Sequence, residues 1–373
     1  MFDIELLRLI WWMLLGILLM GFAISDGFDL GVASLLPFVA QNEKERRTVL
    51  HTIRPFWEGN QVWIILGAGA IFAAWPYVYA VLFSGAYFLI FLLLLTLGIS
   101  RPVSFKYRDK LPNLFWRRFW DWITFIGGLI PAILFGLLAG NVITGFAFHF
   151  DDSLRLFYDG SLPDFFHPFS ILCGATSLCL FIMHGGIYLA MKTENPIRSR
   201  SIFYSKIAAI FLIILFAIGG FCLAYLINGY EVKSEINPLA YSNPLHKEVI
   251  TQLGAWMNNY YHYPVLLIVP LLGFLGAILT IFTARFGQSG FAFVCSSLSI
   301  MGVIGSVGVS LFPFILPSSS HLSSSLLVWD SSSSALTLTI MLFSTVIFLP
   351  IILSYTAWIY KVLGGKAKAE EEY

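Results

Sequence analysis

Charge is the scarcest property of this chain: 12% of its residues are Asp, Glu, Lys or Arg, about half of the usual soluble share of roughly one quarter. A basic excess is missing too. The 22 Lys and Arg stand against 21 Asp and Glu, which excludes the clustered positive surface that nucleic acid demands. Cysteine is scarce: Cys173, Cys179, Cys222 and Cys295 lie inside apolar runs with no C-x-x-C or Cys/His ligand spacing. That pattern offers no cysteine-ligated zinc site or disulfide framework and reads as small hydrophobes in a core. The chain has no P-loop, no dinucleotide fingerprint and no nucleophile elbow. Its first apolar stretch does not read as a cleavable signal peptide, because the acids Asp3 and Glu5 precede it and no small-residue cleavage site follows.

What is present is apolar surface. Hydrophobic residues make up 58% of the 373, aromatics 17%, and the mean hydropathy is +0.81. No soluble core of this size hides that much, so the chain reads as an all-α polytopic membrane protein in one integral-membrane domain over 1–373. A crossing helix needs about 20 apolar residues, and nine candidates follow: 9–40, 59–74, 78–100, 122–146, 169–191, 207–228, 264–284, 290–314 and 335–360. Trp75-Pro76 splits a charge-free run too long for one crossing, and Pro313, Pro317 and the serines after them end another. Nine spans suit two four-helix bundles plus one peripheral helix.

The loops test that count. Lys and Arg should gather in alternate, cytoplasmic loops, and eighteen of the 22 fall in one set: near 44–54, 101–118, 192–206, Arg285, and the tail with Lys361, Lys366 and Lys368. The other set holds Arg8, Arg155, Lys233 and Lys247. The N-terminus is therefore expected outside and the C-terminus in the cytoplasm. Two larger outer loops, 149–167 and 231–262, are expected to cap that face, with a short surface helix at 244–257. The serine runs around 318–334 read as an ordinary loop.

Asp26 and Asp29 lie inside the first span. An acid at the bilayer centre costs on the order of 2.5–3.5 kcal/mol, so it needs water, a partner or a function. Their i, i+3 spacing puts both on one helical face. Glu58 opens the second span, Arg101 closes the third and Asp121 opens the fourth, all at the cytoplasmic level. One reading is charge neutralisation that locks helix ends, with Arg101 bridging Asp29 or Asp121. The other is a protonatable entry path through Glu58, Asp26 and Asp29. Gly59, Asn60 and Gln61 beside Glu58 suggest a close-packed, hydrated spot. From residue 207 to 360 the spans carry no acid and no base.

His184 is the one histidine within a span. Met183 is adjacent, but neighbours on a helix point apart, so a hydrogen-bonded histidine is expected rather than a haem ligand. Trp11, Trp12, Trp75, Trp120, Trp122 and Trp329 sit near span ends, as aromatic belts do. Trp63 lies deeper.

At these residues the chain resembles subunit II of cytochrome bd quinol oxidases. The run 21–32 (GFAISDGFDLGV) carries the likeness, with 57–63 (WEGNQVW), 72–76 (FAAWP), Arg101-Pro102-Val103, 243–248 (NPLHKE), 312–320 (FPFILPSSS) and 329–333 (WDSSS) in order. The resemblance implies a heterodimer with a haem-bearing subunit I in the bacterial cytoplasmic (inner) membrane, oxidising quinol outside and reducing oxygen to water. It implies haems b and d in that partner and no cofactor or metal ligand in this chain. A structural quinone occurs in some members, as does a small single-helix accessory subunit. The family's carboxylate falls on Glu58, where many members carry aspartate, and Trp63 is the family position near the mouth of an oxygen route. The rival readings are a secondary transporter using intramembrane carboxylates, disfavoured by the charge-free second half, and a scaffold for an electron-transfer partner.

Overall fold

The computed structural model describes residues 3–367; Lys368, counted above among the tail cations, lies outside the described residues. Helix α1 (Ile4–Val39) starts where the Asp3 carboxylate accepts the Glu5 amide, an N-cap that satisfies one orphan donor. Its 36 residues rise about 54 Å at 1.5 Å each, well beyond a hydrocarbon core of about 30 Å. The short α2 (Glu43–Ile53), capped by Asn42, leads to α3 (Trp57–Ala74). At Trp75 the backbone leaves the helical region, as a residue before proline must, and α4 (Pro76–Gly85) departs at 117° to α3.

Next comes a continuous helical segment, Tyr87–Tyr107. It joins α5 (Tyr87–Leu93), a π-helical stretch Leu94–Ser100 and α6 (Arg101–Tyr107). The third span therefore begins later than 78 and runs past 100, through Pro102. Helix α7 (Leu114–Thr144) ends in the hairpin β1 (Phe148–Phe150) and β2 (Leu156–Tyr158). Helices α8 (Pro168–Lys192) and α9 (Ile197–Tyr225) follow, then β3 (Asn228–Val232) and β4 (Val249–Leu253). The last elements are α10 (Asn258–His262), α11 (Ile268–Arg285), α12 (Ser289–Leu311), the strands β5 (Phe314–Leu316) and β6 (Leu326–Leu327), and α13 (Ala335–Val362). Among the described residues, eight helices are long and apolar enough to cross a membrane, and the bent pair α3–α4 makes up to a ninth.

The helix expected over 244–257 is instead strand β4 followed by one tight turn. The β-branched run Val249-Ile250-Thr251 pairs with Glu231, Tyr230 and their neighbours, and Gly254 at φ +76° ends it. The serines after Pro317 are not solvated filler. Ser318, Ser324, Ser325 and Ser331 are buried and bond backbone groups that the loop would otherwise leave unpaired.

Helix α1 is the axis of the packing, touching α3, α7, α8 and α12. It approaches α8 so closely that a methyl on Gly31 would fall on the carbonyl of Phe181, and one on Gly185 would lie 2.6 Å from Gly31. Helix α13 is the opposite case. Leu338 is its one buried residue among those described, and Leu336, Ile340, Phe343, Ile347, Phe348 and Ile351 stand exposed. Apolar exposure of that extent suits lipid, not water.

The contrast gives a test. Gly31→Ala and Gly185→Ala should each lower the yield of folded protein in membranes and its thermal transition, because overpacking costs about 1–3 kcal/mol or more. Gly16→Ala, whose methyl meets nothing within 4 Å, should match or exceed the wild type. Equal transitions for Gly31→Ala and Gly16→Ala would contradict the close approach.

Candidate functional site

The acids of α1 meet α3, α6 and α13 at a fully buried spot. Asp26, Asp29 and Arg101 are all 0% exposed. The Arg101 guanidinium donates through Nη2 to Asp26 Oδ1 at 2.6 Å. Asp29 has a different partner: Asn60 Nδ2 donates to its Oδ2 at 2.8 Å, and Tyr360 donates its hydroxyl to Asn60 Oδ1 at 2.6 Å. A chain Tyr360–Asn60–Asp29 thus runs beside the Asp26–Arg101 pair. Asp26 Oδ2, Asp29 Oδ1 and Arg101 Nε and Nη1 have no hydrogen-bond partner among the described residues. Two carboxyls face one guanidinium, so the site carries one negative charge in excess unless it holds a proton.

The sequence offers Arg101 either Asp29 or Asp121; its hydrogen-bonded partner is instead Asp26, with Asp29 close by. The i, i+3 relation brings Asp26 and Asp29 to one face, but the position of α6 selects Asp26. Asp121 belongs to a separate cluster at the loop level: Arg108 donates to both its oxygens (Nε–Oδ1 2.5 Å, Nη2–Oδ2 3.3 Å) and Arg46 reaches Oδ2 at 3.1 Å. Arg108 also pairs with Glu43 and Asp109, and Arg54 with Asp109. Burial opposes charge on Arg108, yet the surrounding carboxylates hold its pKa above the ordinary value. This cluster ties α2, α6 and α7 together.

Glu58 stands apart from both. It is exposed at the start of α3, on a groove of about 300 Å³ shared with Arg54, Trp57, Phe105 and Lys106. Gly59 beside it is also exposed, with open space where a methyl would be, so the close packing expected there is absent. The packing begins at buried Asn60, and Gln61 donates to the Leu97 carbonyl at 2.9 Å.

Trp63 is buried against Gly21 of α1. Its neighbour Ile64 lines a larger, almost wholly apolar cavity of about 550 Å³ between α1, α7, α8, α9, α11 and α12, with Phe22, Phe135, Phe181, Leu215 and Phe274 on its walls. His184 is 0% exposed and engaged at both nitrogens, Nδ1 with Ser296 Oγ at 2.7 Å and Nε2 with the Ile24 carbonyl at 2.9 Å. A ring so engaged does not fit an axial haem ligand, in line with the hydrogen-bonded histidine expected.

At the other end of the helices the sequence reading missed three groups. Arg8, also 0% exposed, donates to the carbonyls of Pro238 and Ala240 and to Ser242 and Ser332, pinning the loop before β4 to the start of α1. Lys247 pairs with Asp330 at 2.6 Å, so the stretches 243–248 and 329–333 meet. Burial lowers the Lys247 pKa and raises that of Asp330, so each charge survives by virtue of the other. Tyr360 was also missed; no local pattern distinguishes it from an interfacial tyrosine.

The model of a known family, described as cytochrome bd terminal oxidase subunit II, matches residues 7–363. A Haemophilus influenzae protein named probable cytochrome oxidase subunit 2 is 46% identical over 369 residues, covering 99% of this chain and 97% of its own. An Escherichia coli K12 protein named cytochrome bd-I ubiquinol oxidase subunit 2 is 44% identical over 371 residues, covering 100% and 98%. Among solved structures, a bd oxidase chain from Geobacillus thermodenitrificans superposes with a TM-score of 0.63 at 14% identity, covering 96% of this chain and 98% of that one; at that identity the likeness is one of fold.

Proposed function

The chain belongs to the cytochrome bd terminal oxidase subunit II family, and from that premise we propose that it supports a haem-bearing subunit I while supplying protons and a route for oxygen. It is a multi-pass protein of the bacterial cytoplasmic membrane. In this reading the whole chain acts as one membrane unit of nine spans, two four-helix bundles with α13 at the edge, N-terminus outside and C-terminus in the cytoplasm. The isolated chain is not catalytic: electrons pass through the haems of the partner, and this chain's residues handle protons and access. A small single-helix subunit is a further expected neighbour.

The observation that carries the proton role is the buried group Asp26, Asp29, Arg101, Asn60 and Tyr360, with its excess carboxylate and its four unpartnered polar atoms. Such atoms suit a short line of water leading inward from the groove at Glu58. The oxygen role is supported by the apolar cavity beside Ile64, one residue from Trp63. Oxygen partitions into apolar space, and the same walls suit the hydrocarbon tail of a structural quinone.

The transporter reading loses support because no acid or base lines the apolar cavity, and the second half of the chain carries no acid within its spans to match the Asp26–Arg101 group. Affinity isolation of the tagged chain from its native membranes decides between them. The isolate should show haem absorption at about one haem-bearing partner per chain, whereas the chain expressed without that partner should show none. A haem-free isolate from native membranes would overturn the oxidase reading.

A further inference from the structure

Two histidines and an aspartate that lie far apart in sequence converge on the face opposite the Arg108–Asp121 cluster. His149 is in β1, Asp159 follows β2, and His321 lies in the serine-rich loop between β5 and β6. His149 Nδ1 is 2.8 Å from Asp159 Oδ2, and His321 Nδ1 is 3.9 Å from the same oxygen. The three ligand atoms all lie within 4.8 Å of one another. Four-coordinate bonds of about 2.0–2.1 Å place neighbouring ligand atoms about 3.3 Å apart, a spacing that the two measured separations bracket.

The arrangement is held from outside. The His149 ring stacks on Phe157, its cross-strand neighbour, with centroids 5.2 Å apart. Ser320 donates its hydroxyl to Asp159 Oδ2 at 2.9 Å, fixing the carboxylate between the rings. The hairpin and the loop are fastened by backbone bonds at Phe146, where its amide meets the Pro317 carbonyl and its carbonyl accepts the Ser319 amide. The Phe148 carbonyl lies 3.0 Å from the same Ser320 hydroxyl and shares its one proton with Asp159. The rings of His149 and His321 therefore face each other, 4.5 Å between centroids, without a flexible linker to spread them.

We propose that His149, Asp159 and His321 form a binding site for a borderline divalent transition cation of the zinc type, which clasps the β1–β2 hairpin to the loop between β5 and β6. Two imidazoles and one carboxylate favour Zn²⁺, Cu²⁺ or Ni²⁺ over Mg²⁺ and Ca²⁺, which prefer all-oxygen shells. Three protein ligands leave a fourth position to water. The site lies away from the Asp26–Arg101 group and does not depend on the oxidase reading.

The test is calorimetric titration of ZnCl₂ into the detergent-purified protein, with whatever partners accompany it, after chelator treatment. The wild type should bind one Zn²⁺ more per chain than the His149→Ala/His321→Ala double variant. Ser320→Ala should keep that extra site but weaken it by about tenfold or more, as loss of an outer-shell contact does. MgCl₂ should not distinguish wild type from variant. Identical zinc isotherms for wild type and a double variant with an unchanged thermal transition would overturn the proposal. If the double variant fails to fold, Cu²⁺-loaded wild type decides by electron paramagnetic resonance: coupling to two imidazole nitrogens supports the site, and its absence refutes it.

Discussion

Replacing Arg101 by methionine is expected to remove most of the folded protein from the membrane. Its guanidinium and the Asp26 carboxylate are each 0% exposed and 2.6 Å apart. Deleting one partner of a buried ion pair typically costs 3–5 kcal/mol, because the other charge is left uncompensated. That is a large part of the roughly 5–15 kcal/mol by which whole domains are stable. Arg101→Lys should recover only part of the yield, since an ammonium cannot reproduce the planar fork. The double variant Arg101→Met/Asp26→Asn should recover more than Arg101→Met alone, because it leaves one excess carboxyl, as in the wild type, instead of two. Asp29→Asn should be milder than any single change at the pair, as Asn60, itself held by Tyr360, can still donate to an amide oxygen there. Quantitative immunoblots of membranes, with thermal transitions of the purified protein, measure all four. Wild-type levels of Arg101→Met would mean that the pair contributes nothing to folding.

Glu58→Gln should do the reverse, leaving assembly intact and lowering quinol oxidase turnover by roughly tenfold or more, the scale on which removal of a proton-transfer group is felt. The side chain is exposed and makes no ion pair among the described residues, so neutralising it strands no partner. What it removes is a carboxylate in a groove that also holds Arg54 and Lys106, where the proton-supply proposal places the entry. The simpler account is an acid in the first turn of α3, favoured there by the helix dipole. Turnover per haem separates the two. The dipole account leaves turnover unchanged in Glu58→Gln and moves only stability, whereas a relay loses turnover and regains much of it in Glu58→Asp. Full turnover in Glu58→Gln would assign the proton route to other residues.

How much of this could be seen in advance depended on the range of the signal. Burial of α1, α7 and α8 and the exposure of α13 differ by partner, yet all four are visible as apolar runs, because a helix in hydrocarbon must satisfy its own backbone. The Trp75-Pro76 break was equally visible, since the steric clash that produces it lies within two residues. The third span was placed too early because a charge-free run does not show which part lies in the bent arm α4. Likewise a short surface helix is expected at 244–257, but the β-branched run within it pairs with the strand 228–232.

The amino-acid order by itself determined the membrane class, the helices, the acids that needed company and the family to which the chain belongs, because each depends on composition or on short fixed spacings. It did not determine who pairs with whom. Arg101 has four carboxyls near its level, and only the way α6 packs against α1 gives it Asp26 and leaves Asp121 to Arg108 and Arg46. Tyr360 joins Asn60 across 300 residues, Lys247 joins Asp330 across 83, and His149 meets His321 across a gap of similar kind. Local patterns say what a side chain needs. Which partner answers is decided by interhelical packing, where angles and close approaches such as that of Gly31 to Gly185 depend on the whole chain at once.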